Sequence, residues 1–410
     1  FTDDPAFPDG KGRELTAHDF IYSLKRHFDK HNRSQGAWLW QGRIVGLDEW
    51  KAAGSDYAAE VEGLRALDRY SIQIKLKKPY PQLTHTLAQG YSAIVPREAV
   101  EHYGREFSVR PVGSGPFRLA LIDSVKAVLL PNPKFRQEPI DLAAEGYDEA
   151  IHGQYNIKQI EGRIPPLLDR LEVHFIKESL SRWNSFTKDD EIEFSGIPKE
   201  LTDEVLAQKQ PEILLKPDYA ARYHMANMIE SGFVHSDFNM RDPEIGYNPD
   251  PQRNEMNKAL RCAIRFAYNW EERNRTMYTD LGVIFPGIIP PVTPEFDPQG
   301  STASLEHNPE KGRRLLQQAG WTPEQLPVID YGGVASVTTR QMFEQFRGWM
   351  TKLGYPKNKI TFNSFATFGD FNKAVKQAKI KFVGMGWGLD YPDAENTLQL
   401  FYGPNGSPGS

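Results

Sequence analysis

Apolar residues recur at helical spacing in the first clear segment of this chain. Phe20, Leu24 and Phe28 stand four apart with Ile21 beside them, which gives a helix one buried face. Thr16 precedes them as an N-cap residue and Asp19 stands three positions on, a capping box with Asp in place of Glu or Gln. Residues 70–77 alternate instead. Tyr70, Ile72, Ile74 and Leu76 share one side, and Ser71, Gln73, Lys75 and Lys77 the other. That period of two predicts a half-buried strand, ended by Pro79. Leu171, Val173 and Phe175 repeat the pattern.

The stretch from 131 to 169 holds Pro131, Pro133, Pro139, Pro165 and Pro166 with scattered glycine and charge. It reads as irregular surface chain between strands. The C-terminal third is more regular. Residues 256–270 read as a helix with Leu260, Ile264 and Ala267 on one face. Asn308 caps a further helix, Pro309 takes its first turn and Gly320 ends it. An apolar segment (Val328–Tyr331), a helix to Gly354, a strand (Ile360–Phe365), a helix with Phe371 and Val375, and an apolar run from Phe382 to Trp387 follow. The order β-α-β-α-β predicts a mostly parallel α/β sheet. Ligands of such sheets lie at the carboxyl ends of the strands. The segment after Phe382–Trp387 is therefore the place to look for a site.

Composition narrows the classes. A chain of 410 residues suggests two or three domains at about 150 residues each. A net charge of −5 excludes a reading led by a strongly basic nucleic-acid surface. Charged residues at 25% and hydrophobics at 39% are those of a globular chain rather than a disordered one. No stretch approaches the ~20 apolar residues of a membrane-spanning helix. The single cysteine, Cys262, excludes an intrachain disulfide and a Cys-rich zinc site. Its place between Leu260 and Ile264 reads as a buried core thiol. Phe1 is followed by acids and prolines, with no signal-peptide pattern. Without an initiator Met, Phe1 reads as other than the native start, with processing or truncation expected to have removed what came before.

Candidate chemistry is sparse. His27 and His31 stand i, i+4 on the first helix and could share a metal, yet no third ligand is evident, and a solvated helix face is favoured. Val112-Gly113-Ser114-Gly115-Pro116-Phe117 lacks the Gly-x-Gly-x-x-Gly spacing, and Pro116 has no N–H for a phosphate. It reads as a tight turn feeding a strand. The acidic run Asp189, Asp190, Glu191 and Glu193 reads as a solvated loop rather than as paired catalytic carboxylates. Trp387 and Asp390 are the sharpest pair. Gly386 and Gly388 flank the indole and let backbone or ligand approach closely. Asp390 follows the end of an apolar strand, where a carboxylate needs a partner. A surface turn built on Asp390, Pro392 and Asp393 is an equally good reading of these residues alone.

Five segments in order resemble the extracellular solute-binding proteins of family 5, the dipeptide and oligopeptide receptors of bacterial ABC importers. They are Asp9-Gly10 with Leu15-Thr16-Ala17-His18-Asp19-Phe20-Ile21-Tyr22-Ser23-Leu24-Lys25-Arg26; the Val112–Phe117 turn; Arg261–Trp270; Asn308–Trp321, with Gly312 where the family usually has Ala; and Trp387-Gly388-Leu389-Asp390-Tyr391-Pro392-Asp393. The resemblance implies an α/β, two-lobed periplasmic-binding-protein fold of type II, with a ligand cleft between the lobes. Residues 1–107 would be a peripheral subdomain of lobe one, 108–228 its main part, and 229–410 lobe two. It also implies an N-terminal stretch before Asp9-Gly10, and a C-terminal return to the first lobe, that this sequence does not contain.

The resemblance further implies a substrate-binding receptor rather than an enzyme, with no cofactor, no catalytic residue and no metal. It would be a monomer that captures a peptide and delivers it to an inner-membrane ABC permease. Asp390 would pair with the peptide α-ammonium. Backbone at Gly386, Trp387 and Gly388 would pair with the extended peptide and wall its pocket. Some oligopeptide receptors carry Arg where this chain has Gly384, so the partner for the ligand's carboxylate end is unassigned. Asn269 stands where the family's helix usually has Asp. The protein would be periplasmic or exported to the cell envelope, free or lipid-anchored. Alternatives are a receptor of the same fold for an oligosaccharide, opine, haem or metal complex, and a hydrolase.

Overall fold

The capping box at Thr16 forms as its residues predict. In a computed structural model of the chain, which describes residues 1–405 apart from Arg33 and 189–191, the Asp19 carboxylate accepts the Thr16 N–H at 2.8 Å. It starts helix α1 (Ala17–Phe28), whose Leu24 and Phe28 are buried. The chain divides into two compact units, Phe1–Gly196 and Ile197–Ser410. The boundary expected between 228 and 229 falls inside the second.

The first unit holds α1 and the short helices α2 (Leu47–Ala52), α3 (Leu83–Leu87), α4 (Arg97–Tyr103), α5 (Glu149–His152) and α6 (Ser179–Thr187). Its strands are β1 (Leu64–Ala66) paired with β2 (Ile72–Ile74), and an antiparallel sheet of β3 (Phe117–Ile122), β4 (Lys126–Pro131) and β5 (Leu171–His174) in that order. The alternation persists in exposure over 71–77, with Ile72, Ile74 and Leu76 half-buried between exposed Ser71, Gln73, Lys75 and Lys77, whereas Tyr70, expected on the buried side, is exposed, its hydroxyl donating to Glu14. Regular pairing covers only its middle, and Leu76 makes an isolated bridge to Ile44. The Val112–Phe117 turn is a turn into β3. Thr2 donates to the Gly113 carbonyl, and Asn132 donates to those of Pro116 and Gly115.

At β5 the expected faces are exchanged. Leu171 and Val173 are exposed, while Glu172 and His174 are half-buried. Glu172 is drawn in by Lys126 at 2.7 Å on the neighbouring strand, and among the described residues the apolar side lacks a covering layer.

The second unit opens with α7 (Thr202–Val205), the hairpin of β6 (Leu206–Gln208) and β7 (Leu214–Leu215), and α8 (Pro217–Ala220). Strand β8 (Gly232–Phe238) follows, then α9 (Pro251–Ala267), α10 (Trp270–Tyr278) and α11 (Pro309–Gln318). The βαβ series completes it: β9 (Ile329–Val334), α12 (Val337–Leu353), β10 (Ile360–Phe365), α13 (Phe368–Lys376), β11 (Phe382–Gly388) and α14 (Ala394–Phe401). The sheet order is β10-β9-β11-β8, parallel except for β8 against β11. Side chains of adjacent strand residues point to opposite faces. Phe382 accordingly enters the core packed by α9, α11 and α12, and Val383 the smaller one with Phe371, Ala374 and Ile380. Both faces of the sheet are thus covered by helices.

The helix expected over 256–270 is two helices. Tyr268 is extended, and Asn269 accepts the Glu272 N–H at 2.9 Å to cap α10. Asn caps as well as Asp does, which explains its place here. Cys262 is half-buried rather than a core thiol. The buried stripe of α9 runs through Leu260, Ala263, Ile264 and Ala267, and position 262 falls off it.

Candidate functional site

Strand β11 carries the sequence-predicted residues. Along one edge it pairs with β8 throughout, Gly386 opposite Val234, Trp387 opposite Phe233 and Gly388 opposite Gly232. Along the other it pairs with β9 only at Phe382 and Val383. Beyond Val383 the two strands part, and a cavity of about 320 Å³ opens between them. Gly332, Gly333 and Val334 line it from the carboxyl end of β9, and Gly384, Met385 and Gly386 from β11. Rings of Tyr268, Trp270, Tyr278, Tyr331, Phe368 and Phe371 form its walls. Gly384 has no room for a side chain, because a Cβ there would stand 2.9 Å from the Tyr331 hydroxyl. Burial pushes the Tyr331 phenol up to about 12, so it stays an O–H donor across the neutral range.

Of the predicted residues, Gly386 lines this cavity, while Trp387, Gly388 and Asp390 lie further along the chain and do not. Trp387 and Asp390 are nevertheless brought together, by a residue that the motif reading passed over. Asn396, fully buried in the first turn of α14, accepts the Trp387 indole N–H at 2.8 Å and the Asp390 N–H at 3.1 Å. Its amide donates to the Asp390 carboxylate at 3.2 Å. Asp393 caps α14 by accepting the Glu395 N–H at 2.7 Å. The available signal was Asn396 at the third helical position after that cap, where a Glu or Gln would normally close a capping box. Here the amide turns back to the strand end instead. Asp390 is thus a half-buried carboxylate that accepts from the Asn396 amide.

The other candidates disperse. His27 is half-buried, its Nε2 2.7 Å from the Tyr91 carbonyl and its Nδ1 2.5 Å from the Ser34 hydroxyl. Both of its ring nitrogens thus have partners within the fold, rather than standing on a solvated face. His31 lies past the end of α1, exposed and 3.0 Å from Asp29, so the two rings do not converge. Among the described residues no cluster of three His, Cys, Asp or Glu could hold a metal. In the acidic run, Asp189, Asp190 and Glu191 lie outside the described residues, and Glu193 is exposed. No helix among the described residues is long and apolar enough to cross a membrane.

Comparison with known proteins fits this architecture. The family "Bacterial extracellular solute-binding proteins, family 5 Middle" matches residues 3–409. The chain is 31% identical over 128 residues to the periplasmic oligopeptide-binding protein OppA of Salmonella typhimurium, 30% of this chain and 23% of that protein. It is 20% identical over 345 residues to the glutathione-binding protein GsiB of the same species, 83% of this chain and 57% of that protein. The chain therefore spans little more than half the length of even the more fully covered of these relatives. The crystal structure of a periplasmic oligopeptide-binding protein of Borrelia burgdorferi superposes with a TM-score of 0.68 at 21% identity, over 96% of this chain and 68% of that one.

The class is thus a solute-binding protein with the α/β fold of type II periplasmic-binding proteins. The chain belongs to bacterial extracellular solute-binding protein family 5, a family of binding proteins rather than enzymes.

Proposed function

We propose that this chain is the solute-capturing part of a receptor that delivers a peptide to an ABC permease, and that the ligand lies along β11. The observation that carries this reading is the parting of β9 from β11 after Val383. Among the described residues the β9-side edge from Gly384 to Gly388 has no strand partner, and a cavity lies beside it. An extended peptide can add itself to such an edge through backbone hydrogen bonds, which do not depend on its side chains. Asp390, just beyond, receives the α-ammonium. The relatives' names, oligopeptide-binding and glutathione-binding protein, agree with a peptide ligand. In this reading the protein is a monomer working outside the cytoplasm, takes no nucleic acid and catalyses no reaction.

Calorimetric titration of the 410-residue chain with tri- and tetrapeptides, free or N-acetylated, tests it. Free peptides should bind, and acetylation or Asp390→Asn should weaken them by about 1.5–3 kcal/mol, the worth of a charge-assisted hydrogen bond. Equal affinity for free and acetylated peptides would remove Asp390 from its role. Absence of binding by every peptide would remove the peptide reading.

A further inference from the structure

Arg273 is the unusual residue of the second unit. It stands on α10 at 3% exposure and lines the cavity between β9 and β11. A buried guanidinium ordinarily has a carboxylate partner, because an unpaired buried charge is costly. Arg273 makes no salt bridge to any Asp or Glu among the described residues. Its Nη2 donates to the Tyr268 hydroxyl at 3.0 Å. The rings of Tyr268 and Trp349 stand 5.6 and 5.5 Å from its Cζ, a cation–π contact that offsets part of the lost hydration. Its buried Nη1 has no hydrogen-bond partner among the described residues.

The cavity wall has the same bias. Among the described residues no acidic side chain lines it, and it offers N–H and O–H donors from Arg273, Tyr268 and Tyr331. The neighbouring histidine, His235, is matched by its own carboxylate, Asp237, 2.7 Å from its Nδ1. Among the described residues that line the cavity, Arg273 is thus a positive charge without a carboxylate counter-ion. A planar guanidinium is suited to a carboxylate, which can take two parallel N–H bonds.

We infer that the cavity is a subsite for a carboxylate of the ligand, with Arg273 as its partner. The inference deepens the peptide reading and rests on it in one respect: the carboxylate belongs to a solute lying along β11. Two sources share this chemistry, the C-terminal carboxylate of a short peptide and an acidic side chain.

The test uses thermal-shift and calorimetric titrations of the full chain and of its Arg273→Met and Arg273→Lys variants. The probes are trialanine, trialanine amide, Ala-Glu-Ala amide, Ala-Gln-Ala amide and glutarate. A C-terminal source predicts that trialanine binds wild type about 10- to 100-fold more tightly than its amide. A side-chain source predicts the same preference for Ala-Glu-Ala amide over Ala-Gln-Ala amide. In either case the preference vanishes in Arg273→Met and is reduced in Arg273→Lys, which keeps the charge and loses the fork. Should the Met variant not fold, the Lys variant carries the test, and an undiminished preference in it overturns the inference.

Equal binding of carboxylates and their amides by wild type overturns the inference, as does an undiminished preference in Arg273→Met. A thermal shift by glutarate that Arg273→Met abolishes, with no peptide bound, supports the carboxylate subsite and overturns the peptide reading. No shift by any probe overturns both.

Discussion

The indole N–H of Trp387 and the side-chain oxygen of Asn396 are joined by a hydrogen bond of 2.8 Å. The same oxygen takes the N–H of Asp390 at 3.1 Å. One fully buried amide thereby fixes both the ring at the end of β11 and the carboxylate beyond it. Replacing Asn396 with Leu leaves both donors without their acceptor, and each buried group so left costs about 1–3 kcal/mol. Urea unfolding should show a loss of about 2–4 kcal/mol. Asn396→Asp keeps the acceptor but sets a second carboxylate against Asp390, so its loss should shrink as pH falls toward 4. A neutral outcome for both variants would mean that Asn396 does not hold the strand end.

Gly312 in α11 departs from the Ala usual at its place in the family motif, and packing gives the reason. A Cβ there would stand 2.7 Å from Leu353 Cδ1 and 2.9 Å from the Ala263 carbonyl, where α11 meets α12 and α9. Gly312→Ala gains up to about 1 kcal/mol of helix propensity against about 1–3 kcal/mol of overpacking. The melting temperature should fall despite the better helix former. A rise would show that α9 and α12 give way cheaply.

Arg13 clamps two carboxylates, with Nη2 2.6 Å from Asp19, Nε 2.6 Å from Glu98, and further bonds of 2.9 Å to each. Burial pushes the Asp19 carboxyl up, but Arg13 and the Thr16 N–H outweigh it and hold the group below its ordinary value. Hydrogen bonding to Arg13 lowers Glu98 as well, against the opposing effect of burial. A carboxylate with a depressed folded pKa binds fewer protons folded than unfolded. Its contribution is therefore present above the unfolded value, about 4, and is lost as pH falls through the folded one. Urea midpoints should drop between pH 5 and 2.5 in wild type. Asp19→Asn should cost about 2 kcal/mol at pH 7 and flatten that drop.

His27 predicts a separate window. Burial lowers its pKa, the Tyr91 carbonyl opposes this and Arg26 adds to it, with a net fall below 6.5. The ring is neutral in the fold at neutral pH, so its contribution is present above about 6.5 and is lost as pH falls through its folded value. His27→Gln should remove the part of the stability change between pH 7.5 and 5.5 that wild type shows. An unchanged slope there would assign the change to other groups.

Much of the second unit was legible because its signals are local. Asn308 and Pro309 start α11 whatever surrounds them, since their reasons lie in cap geometry and a fixed φ. Strand β10 occupies Ile360–Phe365 as read, and β11 extends the Phe382–Trp387 run by Gly388. Where the reading failed, a neighbour outweighed the local pattern. Lys126 turned Glu172 inward at β5, and the cap at Asn269 cut one periodic apolar stretch into two helices.

By itself the sequence determined the βαβ order, the capping box at Thr16, the family motifs and the candidacy of Trp387 and Asp390, because each depends on residues within a few positions of one another. Only the tertiary structure decided that β11 parts from β9 after Val383, that Asn396 ties Trp387 to Asp390, and that Arg273 is buried beside a cavity without a carboxylate. Those facts depend on which side chains and strand edges meet across tens of residues. Burial and hydrogen-bond satisfaction are properties of that meeting, and no spacing along the chain records them.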